Sequence, residues 1–159
     1  LEINAEVDER YHLEKATEVA CNYILDAKSK FGSWTLAAAS YNMGMRGLQN
    51  QLSRQSAANY YDLHLNHETS RYVFRMLALK AIMEDPKMYG FHFRPKDLYP
   101  PLKTKTITID SAVADFAAFA NIFDLSYKTL KYHNPWLRQS YLTNKTRKTY
   151  EISIPVAEE

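Results

Sequence analysis

Apolar residues recur at three- and four-residue steps from Ala16 through Val19, Ala20, Tyr23, Ile24 and Ala27 to Phe31, which predicts an amphipathic helix over residues 13–31. Gly32 stands where a C-terminal cap belongs, and Ser33 caps a second helix through Met43 with Trp34, Ala37, Ala38 and Tyr41 on its apolar side. Gly44 and Gly47 bracket a break; a polar third helix is expected near residues 48–55, and 56–66 reads as irregular or only partly helical. The next helix covers about 67–84. Tyr72, Val73, Met76, Leu77, the stem of Lys80, Ala81 and Met83 pave one side, and Asp85-Pro86 stops it. Gly90 ends a final turn. Antiparallel helices joined by short connections are expected.

The character changes after Phe91. Arg94-Pro95 and Tyr99-Pro100-Pro101, with mixed charge around them, predict a linker over residues 92–105. Thr106-Ile107-Thr108-Ile109 then alternates like a strand. Ser111 is placed to cap a helix carrying Val113, Phe116, Ala117, Phe119, Ala120 and Phe123, and Ser126 to cap another through Leu130 and Tyr132. Asn134-Pro135 breaks it. Tyr150 to Ile154 alternates again and Pro155 closes the run. The expected fold is mainly α: a helical domain over residues 1–91, then a small βααβ module over 106–156 with its strands antiparallel and both helices on one face.

Composition narrows the function classes. The 159 residues are 46% apolar, enough for a packed core. Twenty basic and 18 acidic residues are scattered with no basic block, which argues against a nucleic-acid partner. Cys21 is the single cysteine, so no internal disulfide forms, and its place in a helical pattern predicts a small core residue. No apolar run approaches the ~20 residues of a membrane span, and Leu1-Glu2-Ile3-Asn4 does not read as a signal sequence. His12, His64, His67, His92 and His133 share no metal-site spacing, so neither a metal nor a cofactor is expected. Twelve tyrosines suit stacking on sugar rings, but composition alone favours tyrosines that fill helix interfaces with the hydroxyl reaching water.

Two stretches carry a specific resemblance. Ala37-Ala38-Ala39-Ser40-Tyr41-Asn42-Met43-Gly44, followed by Glu68-Thr69-Ser70-Arg71-Tyr72-Val73, resembles the distal half of the catalytic domain of lytic murein transglycosylases. Val7-Asp8-Glu9-Arg10, Ala16-Thr17, Ala20-Cys21-Asn22-Tyr23, Tyr60-Tyr61-Asp62-Leu63 and Pro86-Lys87-Met88-Tyr89-Gly90-Phe91 extend the likeness over residues 1–91. It implies a lysozyme-like all-α domain, present in part. Leu125-Ser126-Tyr127, Leu130, Asn134-Pro135 and Tyr150-Glu151-Ile152-Ser153-Ile154-Pro155 resemble the lysin motif (LysM), a peptidoglycan- and chitin-binding module. Asp110-Ser111-Ala112 replaces its usual Gly-Asp-Thr, and residues 144–148 replace its usual glycine turn.

The first resemblance implies a non-hydrolytic cleavage between N-acetylmuramic acid and N-acetylglucosamine. One glutamic acid protonates the glycosidic oxygen, then takes a proton from the muramic 6-hydroxyl as it closes a 1,6-anhydro ring; no water enters. That glutamate precedes a serine in the family. No Glu-Ser pair occurs here, so no residue is assigned as the acid, which is expected upstream of Leu1, and the chain alone is expected to be inactive. Glu2, Glu6, Asp8, Glu9 and Glu14 are expected to be exposed, with no cause for a raised pKa.

The resemblance assigns substrate binding to Tyr41, Asn42, Glu68 and Tyr72. Asn42 offers a donor and an acceptor to an acetamido group, and Tyr41 a hydroxyl and a ring face. Glu68 would contact substrate or orient the acid, with Tyr72 one turn along the same face. From spacing alone, Tyr41 packs between helices, Asn42 caps one, and Glu68 sits in a first turn where the dipole favours an acid. Asn66-His67 replaces the usual proline before Glu-Thr, and Met45-Arg46-Gly47 the usual Pro-Gly. Arg10, Arg71 and Arg75 read as solvated helix charges.

The expected partner is peptidoglycan, in the periplasm or outer membrane of a Gram-negative envelope. A non-catalytic cell-wall glycan-binding protein is the main alternative, and a helical protein-binding scaffold a third. A partial domain would leave apolar surface around residues 13–44 open, predicting self-association or marginal stability.

Overall fold

A computed structural model describes residues 1–156. Helices α1 (Leu13–Phe31), α2 (Trp34–Met43), α3 (Met45–Gln55) and α4 (His67–Glu84) precede strand β1 (Thr104–Ile109), helices α5 (Phe116–Asn121) and α6 (Tyr127–His133), and strand β2 (Tyr150–Pro155). The chain forms two compact units. One holds Ala20–Leu98; the other joins Leu1–Val19 to the segment from Tyr99 onward.

In the helical unit, Ser33 accepts a hydrogen bond from the Leu36 amide (3.1 Å) and so starts α2, an interaction of about 1 kcal/mol. Leu36, Ala37, Ala38, Ala39 and Ser40 are all buried. Small side chains there let α3 and α4 approach the α2 backbone closely. Leu48, Tyr60, Leu63 and Val73 complete the core. The Tyr60 hydroxyl lies 2.9 and 2.7 Å from the Thr69 and Ser70 carbonyls, tying the irregular stretch before α4 to its first turn.

The break between α2 and α3 is Gly44 alone, at φ +83°, and α3 begins at Met45. The buried side of α1 is the half-covered stripe Ala20, Tyr23 and Ile24 with fully buried Ala27, so Val19 is exposed. Cys21 is exposed too, because it falls on the opposite stripe with Glu18, Asn22 and Leu25. On α4 only Thr69 and Val73 are buried, while Met76, Leu77 and Met83 are exposed. The contacts from Asn42 and Tyr60 reach only its first turns.

In the other unit, β1 and β2 pair antiparallel with Ile107 opposite Ile152 and Ile109 opposite Tyr150. Phe116, Ala120, Leu130, Trp136, Leu137, Leu142, Ile152, Ile154 and Val7 pack beneath. Ser126 caps α6 as expected, accepting from the Thr129 amide at 3.0 Å. Ser111 does not cap α5. Val113 exchanges two 2.8 Å backbone hydrogen bonds with Leu142, which keeps residues 111–115 out of a helix, and Asp115 caps α5 instead. Asn134 is fully buried at the end of α6. Its amide donates to the Leu130 and Ser153 carbonyls (2.9 and 2.7 Å) and accepts from the Ser153 amide (2.8 Å), stitching α6 to β2.

Candidate functional site

Asn42 lies on the last turn of α2, and Glu68 and Thr69 on the first turn of α4. The Asn66 side chain caps α4 by accepting from the Thr69 amide at 2.8 Å. The buried Thr69 hydroxyl donates to Asn42 Oδ1 at 2.8 Å, so Asn42 Nδ2 turns outward and donates to Glu68 Oε1 at 3.2 Å. Gly44, not Asn42, ends α2, its amide bonding the Ser40 carbonyl at 2.7 Å.

Beside this network, the Tyr23 hydroxyl donates to the Ser40 carbonyl (2.9 Å) and accepts from the Met45 amide (3.0 Å). It fixes the α2–α3 corner. The exposed Tyr41 ring meets Tyr23 edge-on, centroids 5.7 Å apart. Burial pushes the half-covered Tyr72 hydroxyl above its ordinary range, and nearby Tyr41 adds to the shift. Of the four residues proposed from sequence, Asn42 and Glu68 are in direct contact, and Tyr72 lies within electrostatic reach of Tyr41. Thr69 and Tyr23 were not singled out. Thr69 stood in plain view inside the Glu-Thr pair, whereas nothing in the α1 pattern distinguished Tyr23 from a core tyrosine.

The acidic N-terminal residues lie in the other unit. Asp8 and Glu9 are buried, contrary to the expected exposure, because each sits beside a base. Arg10 pairs with Asp8 at 2.6 Å and Lys15 with Glu9 at 2.6 Å. Burial alone would raise the Glu9 carboxyl, but hydrogen bonds from Lys15 and the Glu2 amide, with the charges of Lys15 and Lys148, bring it below the usual range. Glu2 is likewise lowered against its burial, by Lys148, Tyr150 and Asn4. The Arg10 hydrogen bond lowers Asp8. A general acid near neutral pH needs the opposite shift. Arg71 reaches only the His67 ring, at 3.3 Å, and both it and Arg75 are exposed.

Residues 1–64 match the family described as transglycosylase SLT domain, and residues 105–158 match the soluble lytic transglycosylase C-terminal LysM-like domain. The chain thus carries an SLT-type, lysozyme-like helical part and a LysM-like module, both similar to domains of lytic transglycosylases. It is 29% identical over 140 residues to membrane-bound lytic murein transglycosylase D of Escherichia coli strain K12, and equally to the protein of that name from Escherichia coli O6:H1 strain CFT073. These alignments cover 85% of this chain and 30% of each relative, so the chain spans under a third of their length. Tyr41 and Asn42 fall inside the SLT match; Glu68 and Tyr72 lie beyond it.

Proposed function

We propose that this chain is a peptidoglycan-binding part of a lytic murein transglycosylase, with Tyr41, Asn42, Glu68 and Tyr72 contacting the glycan. The observation that supports the reading most is the hydrogen bond from Asn42 to Glu68, which links two sequence-distant candidate residues at one exposed spot. Asn42 is pre-oriented by Thr69, so its amide meets an acetamido group without first losing rotamer freedom. Tyr41 offers its exposed ring to the sugar face.

The reaction of the whole protein is cleavage of the MurNAc–GlcNAc β-1,4 bond to a 1,6-anhydro product. No carboxyl of this sequence is assigned as its acid. There is no Glu-Ser pair, the buried N-terminal acids are lowered, and Glu68 is exposed and engaged by Asn42. The chain alone is therefore inactive in this reading, and the protein acts in the envelope of a Gram-negative bacterium. Among the described residues no helix is long and apolar enough to cross a membrane. Val19, Leu25 and Trp34, all exposed, are the residues through which self-association would run.

The test compares this chain with a longer gene product that carries a Glu-Ser helix. The longer protein is expected to release 1,6-anhydro muropeptides, and this chain to bind peptidoglycan without releasing any. Products with a free reducing end would refute the lytic assignment. Binding with no cleavage by either protein would favour the non-catalytic glycan-binding alternative.

A further inference from the structure

Residues 1–12 fall within the SLT match, yet they fold in the unit of the LysM-like module. They form a small hairpin. Asn4 turns it, its amide bonding the Val7 carbonyl (2.7 Å) and its side chain accepting from the Glu6 and Val7 amides (2.8 Å each). Ile3 pairs with Asp8, and the Glu9 amide reaches the Glu2 carbonyl at 2.9 Å.

The returning arm then adds to the module as a short antiparallel strand. The Asp8 amide bonds the Trp136 carbonyl (2.9 Å), the Arg138 amide bonds the Glu6 carbonyl (2.7 Å), and Val7 lies opposite Leu137. Val7, 1% exposed, enters the module's apolar core. Side-chain anchors flank this ladder. The Glu6 carboxylate accepts from the Thr143 amide (2.7 Å) and hydroxyl (3.0 Å). Glu2 receives Lys148 at 2.5 Å and the Tyr150 hydroxyl at 3.0 Å. Gln139 donates to the Ala5 carbonyl at 3.1 Å, and Arg138 lies over the Tyr11 ring at 4.4 Å.

This is the pattern of strand-addition peptide recognition: main-chain bonds hold the segment, one side chain fills a pocket, and charged neighbours select it. We propose that the LysM-like module is a peptide clasp, its Leu137–Tyr150 face recognising an extended acidic segment with an apolar residue after a glutamate, and that residues 1–12 of this same chain are its occupant. A cavity of about 330 Å³ remains between the hairpin and residues 142–146. The hairpin is held by main-chain bonds, the buried Val7 side chain and discrete polar anchors, as a docked segment is. The inference is independent of sugar binding.

Hydrogen exchange on the whole chain tests it. In the unaltered protein the Asp8 and Arg138 amides are expected to be protected, but to open more readily than those of β1 and β2. The double variant Glu2→Ala/Glu6→Ala should speed exchange at Asp8 and Arg138 by about tenfold or more while changing β1 and β2 by less than about twofold. Unprotected Asp8 and Arg138 amides in the unaltered chain would overturn the proposal. Equal acceleration across β1 and β2 would overturn it as well, by showing the hairpin to be an inseparable part of the core.

Discussion

Asn42 and Glu68, on different helices, share a 3.2 Å hydrogen bond whose direction is set by a third residue, the buried Thr69. The two ends of this relay have different energetic weight. Glu68 is exposed, so Glu68→Gln should leave stability within about 0.5 kcal/mol. Thr69→Val leaves the Asn42 carbonyl oxygen without its buried donor and should cost about 1–3 kcal/mol. Chemical denaturation checks both. In peptidoglycan co-sedimentation Glu68→Gln should weaken binding several-fold despite its normal stability.

Asn134→Ala removes two hydrogen bonds between α6 and β2 and strands the Ser153 amide and carbonyl, while the Leu130 carbonyl keeps its bond from the residue-134 backbone amide. A loss of about 2–4 kcal/mol is expected, at roughly 1–3 kcal/mol for each buried group left unpaired and with partial relaxation. Hydrogen exchange should place the loss in β2 and α6, with α2 and α4 unchanged. A uniform loss over both units would contradict the separate cores.

The N-terminal hairpin should respond to acid and to base. Glu2 and Glu9 are lowered in the folded chain, so their contribution is present above the ordinary carboxyl value of 4.5 and disappears as pH falls through the folded values. At the other end, burial and then the Glu2 hydrogen bond push the Tyr150 hydroxyl up to about 12 from 10.0. Its contribution is present below pH 10.0 and lost as pH climbs toward about 12. Lys148, raised mainly by Glu2, is lost in the same alkaline direction. Trp136 fluorescence should follow both transitions, since its ring stacks against those of His12 and Tyr150. A flat signal over the acid range in the unaltered protein would remove the electrostatic account of the hairpin.

Features encoded locally were legible in the sequence. Ser33, Ser126 and Pro86 mark their helix ends by chemistry that acts within one turn, and the Ile107 and Ile152 alternations mark the paired strands. Features set by distant pairing were not. Ser111 carries the letter of a cap, but the bridge from Val113 to Leu142 decides its segment. Glu9 looked solvated because its neighbours are charged, whereas Lys15 and Lys148 reach it once the hairpin folds. Periodicity marks the apolar stripe of α4 but does not say how far a neighbouring helix extends, and only Thr69 and Val73 are buried. At the site, spacing alone favoured a capping Asn42; its bond to Glu68 is visible only in three dimensions.

Side-chain NMR during titration with a short peptidoglycan oligosaccharide tests the central claim most directly. The account predicts that the Asn42 Nδ2 amide resonances and the Tyr41 and Tyr72 ring signals shift together with one saturating affinity, and that Glu68→Gln weakens that affinity. Saturable binding that leaves the Asn42 and Tyr41 signals in place would contradict it.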